Sequence, residues 1–395
     1  MIRPRMIRPL MTRTEVAVFA AGLCTFINLY PTQALLPTLA TAFATSLAHT
    51  GLTVTAALVA VALVAPFVGG ISDALGRRRL IVGAAFLLAI PTLLAATAPT
   101  LGVLIACRFA QGLLFPFIFA ITVAYIADEC PGPEAVRATG LYSIGSIIGG
   151  FSGRFVAGWA AELASWRAAF VALAALTLAC AAIIAVTLPA ERHFRPTRGF
   201  RGSLRGFADH LRNKQVMATC GIGFAVLFSI VATFTYANFL LAAPPYGLGP
   251  AQLGTVFVVY LLAVVATPVA GRLSFRIGRR ATVAIGAAVT AAGLLLTLVP
   301  ALPIIILGMA LIAAGIFMEQ VMSIGHVAMT ARQARSTAVG LYVTCYYVGG
   351  SLGGVVPAWI WSHLGWPGCV ALVLLVQAMA LTVTWLVWPR DKGLR

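Results

Sequence analysis

The feature that most constrains this chain is its succession of long apolar segments. A helix needs about 20 mainly apolar residues to cross the roughly 30 Å hydrocarbon core of a bilayer, and there it satisfies its own backbone hydrogen bonds. Only 9% of the 395 residues are charged, against about a quarter in soluble domains. We predict an all-α membrane protein with twelve transmembrane helices. The predicted spans, numbered in chain order, are 15-40, 50-72, 79-98, 101-126, 137-162, 166-188, 215-241, 250-272, 280-299, 302-329, 337-361 and 367-388.

The basic residues are concentrated in one set of loops. With twelve spans, 24 of the 27 Lys and Arg residues fall on one face of the membrane, which also holds both termini. The positive-inside rule then predicts cytoplasmic termini in a multi-pass protein of the bacterial inner membrane. A net charge of +17 also occurs in nucleic-acid-binding proteins, but this distribution predicts topology and no nucleic-acid partner. The opposite loops lack Lys and Arg altogether, around 41-49, 98-101, 242-250, 300-302 and 362-366.

The two halves of the sequence repeat each other. A shift of 200 positions superposes Gly140-Leu141-Tyr142 on Gly340-Leu341-Tyr342, and a shift of 202 aligns residues 69-78 with 271-280. Two parallel six-helix bundles predict a cavity between them at mid-membrane, reached alternately from each side. The predicted units are a cytoplasmic segment 1-14, a six-helix bundle 15-188, a basic cytoplasmic linker 189-214, a second bundle 215-388 and a cytoplasmic tail 389-395.

Cysteines and the first apolar segment do not change this interpretation. The seven cysteines are scattered without a Cys-x-x-Cys pair, so we expect no metal site, no disulfide framework and no cofactor. The basic and then apolar start, up to Ala40-Thr41-Ala42, looks like a secretory signal. Its cleavage would leave eleven spans and break the pairing of the halves, so we expect it to remain.

Three motifs resemble those of the major facilitator superfamily, and the resemblance covers essentially the whole chain. The family has a motif in the loop between spans 2 and 3. Here it is matched by Gly69, Asp73, Gly76, Arg77 and Arg78, whereas Ala74 departs from it. In span 4, Arg108-x-x-Gln111-Gly112 resembles the drug:proton antiporter branch. The span 5 run from Gly145 to Arg154 resembles the antiporter motif of that branch without its usual proline, which leaves the direction of transport open. The Gly-Gly-x-x-Gly-Arg run is also similar to YnfM-like bacterial inner-membrane transporters.

The loop after span 2 is predicted to act as a gate. Asp73 is placed to cap the helix that begins near Ser336, because a carboxylate is stabilised at a helix N-terminus. The alternative is a solvated loop acid beside arginines that only set topology. The second-half counterparts are Gly271, Gly278 and Arg279, and Phe275 replaces the acid, so the gate is predicted in the first half only.

Two ionisable residues lie deep within predicted spans, where such groups are costly unless they face a cavity or a partner. The resemblance places Arg108 and Gln111 near a coupling pathway, and the alternative for Arg108 is a structural hydrogen bond to helix ends. Glu319 is the acid well inside a span, where its protonation could couple transport to a proton gradient. The alternative for Glu319 is a hydrogen-bonded polar cluster.

Other residues are candidates for contact with a solute or between helices. Glycines at spacings of three and four share one helix face and allow close helix approach. Arg154 is assigned to substrate contact or to gating, and the polar residues of spans 1 and 7 to substrate contact or packing. The substrate-cavity candidates are Asn28, Tyr30, Gln33, Arg154, Tyr236, Asn238, Gln320 and Tyr346. The packing candidates are Gly145, Gly149, Gly150, Gly153, Gly349, Gly350 and Gly353.

These features predict a monomeric transporter, not an enzyme. The leading hypothesis is proton-coupled efflux of a small organic solute, such as a drug, a sugar or a siderophore-like metabolite. Proton symport or facilitated uptake suits the same two-half architecture. A membrane-embedded enzyme is the distant alternative, because the sequence shows no metal-ligand cluster, nucleophile elbow or paired-carboxylate site.

Overall fold

The protein is represented by a computed structural model that describes residues 11–191, 210–330 and 335–389. Across these ranges it is helical and has no β-strand. Most of the predicted linker 189-214 lies outside the described residues. The helices are α1 Arg13–Leu29, α2 Thr32–Ala42, α3 Leu47–Leu75, α4 Arg77–Ala96, α5 Leu101–Glu129, α6 Pro133–Leu163, α7 Trp166–Thr187, α8 Lys214–Ala242, α9 Pro250–Val256, α10 Ala263–Ile277, α11 Arg279–Leu296, α12 Leu302–Thr330 and α13 Arg335–Val387, with a 3₁₀ turn Phe257–Leu262 between α9 and α10.

The described helices account for the twelve predicted spans. Ten segments in the described ranges are long and apolar enough to cross a membrane. The last of these holds two helices, because Gly365 in α13 has φ 59° and ψ −151°, which are not helical angles. The remaining span is α6, whose 31 residues reach roughly 46 Å at 1.5 Å per residue, although its glycines and charged residues lower its hydropathy. The all-α fold of two six-helix bundles is confirmed.

Within each half, a glycine-bearing helix packs directly on the first helix of that half. A Cβ atom at Gly149 or Gly153 of α6 would overlap the backbone of Leu23 or Ile27 in α1. Gly349 and Gly353 of α13 meet the backbone of α8 in the same way, at Phe224 and Phe228. Only glycine allows two helices to approach this closely, so the repeated motif builds the same helix pair twice.

Two of the described spans are interrupted along their length. The first breaks at Pro31, between α1 and α2, because proline has no N–H to donate to the preceding turn. The second is tightened into the 3₁₀ turn between α9 and α10. Tyr30 lies at the first break and Tyr260 within the second, and both rings lie against the guanidinium of Arg154.

The bundle has a basic end, defined as the end that contains residues 11–13, 75–79, 129–137, 188–191 and 277–280. At this end, ion pairs join neighbouring helices of the first half. Arg77 lies 2.6 Å from the Asp128 carboxylate, and Arg137 lies 2.7 Å from that of Glu15.

The two halves join each other at the opposite end. The side chains of Gln33 and Thr55 in the first half bond Thr235 Oγ1 at 3.0 Å and the Ser351 carbonyl at 3.3 Å in the second. Close backbone contacts reinforce these bonds. Gly158 abuts Pro250 and Gly254, and Gly51 abuts the Gly354 carbonyl. We call this group of residues the seal: Gln33, Gly51, Thr55, Gly158, Thr235, Asn238, Pro250, Gly254, Ser351 and Gly354.

Candidate functional site

A central cavity of about 330 Å³ lies between the two halves. Its walls run from Arg154, next to the seal, to Tyr142 and Tyr342, which are nearer the basic end. Its volume is within the range of small-molecule sites, which begins at about 300 Å³. Both halves contribute to its walls, so a bound solute would contact both.

Nine of the 21 described residues that line the cavity are aromatic. They are Phe26, Tyr30, Phe119, Tyr142, Tyr260, Phe317, Tyr342, Tyr346 and Tyr347. The polar members of the wall are Ser143, Ser146, Arg154, Thr267 and Gln320, and no carboxylate is among its lining residues in the described part of the chain. Such a wall can stack on flat apolar solutes and orient them with a few hydrogen bonds.

Arg154 is held at the seal side of the cavity and is 1% exposed. Its Nε and Nη2 atoms both donate to Gln33 Oε1, at 2.8 and 2.6 Å, and Nη1 donates to the Gly150 carbonyl. Its Cζ atom lies 4.5 to 4.8 Å from the ring centroids of Tyr30, Phe257 and Tyr260. Ring faces attract a cation at these distances, so this cluster stabilises the buried charge without a carboxylate.

Gln33 connects this cluster to the second half. While its amide oxygen accepts from Arg154, its Nε2 atom donates to Thr235 Oγ1 at 3.0 Å. Its backbone carbonyl accepts from Asn238 Nδ2 at 2.8 Å. Both Gln33 and Asn238 are therefore components of the seal, and neither is among the residues that line the cavity.

A second polar group lies across the cavity from Arg154. Gln320 Nε2 donates to Tyr346 Oη at 2.9 Å, and Ser323 shares a hydrogen bond of 2.7 Å with the Tyr342 hydroxyl. The rings of Tyr346 and Tyr347 stand edge to face, with centroids 5.3 Å apart. Gln320 and Tyr346, both assigned to the cavity from the sequence, lie on its wall.

Four of the cavity candidates are not on its wall. One is Gln33, which is part of the seal, and the other three are as follows. Asn28 is inside the first bundle, where Nδ2 donates to Thr177 Oγ1 at 2.7 Å. Tyr236 donates to the Gly354 carbonyl at 3.0 Å and packs on Trp361. Asn238 is in the seal. Each side chain points toward a neighbouring helix of its own half or toward the seal. The rotation of a helix about its axis decides this direction, and the position of a residue along the sequence does not reveal it.

Arg108 binds the broken end of α1. It donates to the carbonyls of Asn28 and Leu29 at 2.7 and 2.5 Å and to the Thr53 carbonyl at 3.2 Å. The break at Pro31 leaves these α1 carbonyls without helical donors, and a cation is favourable at a helix C-terminus. Gln111 accepts from Arg108 and donates to Thr92 Oγ1 at 2.7 Å. These contacts match the alternative for Arg108 of a structural hydrogen bond to helix ends. Glu319, the predicted proton-binding acid, is in the other half.

The Arg108→Lys variant is expected to lower the thermal unfolding midpoint in detergent. Arg108 donates to four oxygen atoms, whereas a lysine has only three N–H groups. Each buried acceptor left unpaired costs about 1 to 3 kcal/mol. Unfolding can be followed by labelling of the buried cysteines, with Arg79→Lys at an exposed position as the control. An unchanged midpoint combined with a changed response to pH would instead support a coupling role.

Glu319 is buried among helices of the second half and is not on the cavity wall. Gly286 of α11 packs against it, and Thr290 and Gln377 face its carboxylate. The Gln377 amide has one orientation in which both its nitrogen and its oxygen have hydrogen-bond partners. In that orientation Gln377 donates to Glu319 Oε2 at 2.9 Å and accepts from Ser229 Oγ at 3.1 Å. Arg108 and Glu319, predicted to act in the same coupling pathway, are therefore in separate bundles.

The predicted gating loop is bonded within the first half. Asp73 lies 3.5 Å from Arg77, which also pairs with Asp128. Arg78 donates to the Leu188 and Ala185 carbonyls. Gly76 and its counterpart Gly278 share positive φ angles of 89° and 86°, which favour glycine.

The remaining loop residues leave the gate hypothesis untested. Gly69 and Gly271 have open space where a Cβ would stand, and Arg279 Nη2 lies 2.8 Å from Met329 Sδ. The predicted partner of Asp73 begins near Ser336, whose side chain is outside the described residues. The gate therefore stays a prediction for the state closed at the basic end.

Sequence reasoning missed most of the cavity wall. Tyr142, Ser146 and Gly150 line it beside Arg154, which the sequence had assigned to the cavity. These four residues recur every four positions along α6. Residues spaced by four share one face of a helix. Polar and aromatic side chains in this column, repeated as Tyr342 and Tyr346 200 residues later, were the signal that could have identified the wall.

Two homologous six-helix halves around a central cavity, joined at one end, define a membrane transport protein of the alternating-access class. Comparison with known proteins agrees. The family model of the Major Facilitator Superfamily matches residues 18–244 and 222–395. The chain therefore belongs to the major facilitator superfamily.

Individual relatives cover nearly the whole chain. The inner membrane transport protein YnfM of Escherichia coli strain K12 is 32% identical over 383 residues, covering 95% of this chain and 90% of that protein. The uncharacterized MFS-type transporter YybF of Bacillus subtilis strain 168 is 31% identical over 377 residues, covering 94% and 93%. A bacterial homologue of the human lysosomal transporter Spinster, crystallised in an inward-facing and occupied conformation, has a TM-score of 0.75 at 16% identity, covering 94% of this chain and 96% of that chain.

Proposed function

We propose that this protein exports a small organic solute across the bacterial inner membrane in exchange for protons. The observation that carries the proposal is the aromatic cavity between the halves, which lies on the basic-end side of the seal. If the basic end is cytoplasmic, as the positive-inside rule predicts, solute enters the cavity from the cytoplasm. Opening of the seal and closure of the basic end then releases it outside.

Glu319 is the proton-binding group in this proposal. It is 1% exposed and is surrounded by neutral polar groups, where an ionised carboxylate is costly. Loss of its proton therefore requires the helices around it to rearrange and admit water. Because α12 carries both Glu319 and the cavity residue Gln320, a movement of α12 would affect both sites.

Transport and its direction are tested in two stages. A panel of aromatic and sugar-like compounds is first screened for export by strains that lack or overproduce the protein. Compounds that overproduction depletes from cells are then assayed in proteoliposomes that contain a pH-sensitive dye. Solute-driven proton movement in the opposite direction supports exchange, and movement in the same direction supports symport. Covalent alteration of the compound would indicate an enzyme.

The Glu319→Gln variant is expected to transport solute without proton movement. Glutamine keeps the hydrogen bonding of the cluster but cannot release a proton at this position. Solute flux down its own gradient is expected to remain, while the flux driven by a pH gradient is expected to fall about tenfold or more, because the coupling free energy is lost. Glu162→Gln, at an exposed acid, is the control. Unchanged proton-driven flux in Glu319→Gln would exclude this residue as the coupling group.

A further inference from the structure

We infer that Arg154 binds the carboxylate of an amphipathic aromatic acid, which defines the chemical class of solute that the cavity accepts. This inference rests on the proposed transport function and adds the substrate class to it. Three observations support it: the charge balance around Arg154, an unused hydroxyl beside it, and the composition of the cavity wall.

The charge of Arg154 is buried without an acidic partner. Its hydrogen-bond acceptors are an amide oxygen and a backbone carbonyl, and three aromatic rings surround it. No carboxylate in the described part of the chain forms an ion pair with it. A buried charge is costly unless it is paired, and the partners present are all neutral. An anionic ligand would provide the missing counter-charge.

Arg154 also has hydrogen-bonding capacity left for a ligand. A guanidinium has five N–H groups, and three of those of Arg154 donate to Gln33 and Gly150. The Tyr260 hydroxyl is buried and has no hydrogen-bond partner in the described structure. Its ring lies 4.8 Å from Arg154 Cζ, and both residues line the cavity. The two remaining N–H groups and this hydroxyl supply the donors that a carboxylate requires.

The rings of the cavity select for an aromatic body, and the charge of Arg154 selects against a cation. Rings of both halves line the wall above Arg154, including Phe119, Phe317 and Tyr347. Stacked and edge-to-face contacts with such rings favour a flat apolar group. A positively charged solute would meet Arg154 with no carboxylate among the lining residues to offset the repulsion. The preference is therefore for acids over amines of the same shape.

Direct binding tests this inference separately from transport. The full-length protein in detergent is titrated with 2-naphthoate, with its neutral amide 2-naphthamide, and with the cation 2-naphthylmethylammonium. Isothermal titration calorimetry gives the three affinities. We expect the carboxylate to bind at least about tenfold more tightly than the amide, because charge-assisted hydrogen bonds are stronger than neutral ones. We expect no measurable binding of the cation.

Two variants test Arg154 itself. Gln33→Glu places a carboxylate where Gln33 Oε1 now accepts from Arg154, so an internal ion pair replaces the ligand and the preference for naphthoate over naphthamide should disappear. Arg154→Gln should remove the same preference. Arg167→Gln is the matched control, because the Arg167 guanidinium lies over Trp166 outside the cavity. Thermal unfolding identifies any variant that fails to fold, and Gln33→Glu keeps the guanidinium in place.

Equal binding of the three probes by the wild-type protein, including no binding of any, would overturn the inference. So would a carboxylate preference that survives in both Gln33→Glu and Arg154→Gln. Transport of neutral solutes in proteoliposomes without a carboxylate preference would refute the anion site but leave the transport proposal intact. Tight naphthoate binding without any solute flux would refute the transport proposal and retain the anion site.

Discussion

The Gly158→Leu variant is expected to insert into the membrane normally but to lose most of its transport activity. Gly158 of the first half abuts the backbone of Pro250 and Gly254 in the second, so a larger side chain prevents the seal from closing. Overpacking costs about 1 to 3 kcal/mol, so the ratio of sealed to open protein should fall about 5- to 150-fold. Transport requires both states, so the turnover rate should fall with that ratio.

The state of the seal can be measured directly. In a background without native cysteines, Thr235→Cys places a thiol at a fully buried seal position. If the basic end is cytoplasmic, as the positive-inside rule predicts, an impermeant maleimide added to intact cells should label it faster when Gly158→Leu is also present. Gly140→Leu in the same helix is the control, because no atom lies within 4 Å of a Cβ built at Gly140. Normal transport by Gly158→Leu would show that the seal is not part of the cycle.

The Gly153→Ala and Gly140→Ala variants are expected to change stability in opposite directions. A methyl group at Gly153 would overlap the Ile27 carbonyl of α1, which should separate the two helices and cost about 1 to 3 kcal/mol. At Gly140 the same substitution meets open space and should stabilise the helix by up to about 1 kcal/mol.

Thermal unfolding in detergent measures this contrast. Gly153→Ala should have a clearly lower midpoint than the wild type, and Gly140→Ala an equal or higher one. Gly353→Ala provides a third comparison, because Gly353 packs on Phe228 as Gly153 packs on Ile27. Equal midpoints for Gly153→Ala and Gly140→Ala would mean that close backbone contact of α1 and α6 is not needed for stability.

The fold was predictable from the sequence because its determinants are long and repeated. A segment of about 20 apolar residues has few alternatives to a membrane span, and the duplicated glycine motif showed that the two halves are equivalent. The sequence did not show the break at Pro31. That break exposes the carbonyls of Asn28 and Leu29, and it explains why Arg108 binds a helix end.

The candidate site was predictable only in part, because helix rotation decides which face a side chain occupies. Tyr30, Arg154, Gln320 and Tyr346 line the cavity, whereas Asn28 points into its own bundle. A single sequence does not show how neighbouring helices are rotated and aligned against each other. A polar residue in a span is equally compatible with a cavity and with a hydrogen bond between helices. The four-residue period along α6 distinguishes these possibilities, since its members share a face with Arg154.

The single amide of Gln33 serves both halves at once, with its oxygen on Arg154 and its nitrogen on Thr235. An anion bound to the two remaining N–H groups would neutralise the charge of the guanidinium and so weaken its hydrogen bonds to that amide. Occupancy of the cavity and separation of the halves would then be thermodynamically linked. Such linkage is reciprocal. A covalent bridge that locks α2 to α8 should therefore reduce the affinity for the anion, and a high-affinity acid should slow the formation of that bridge.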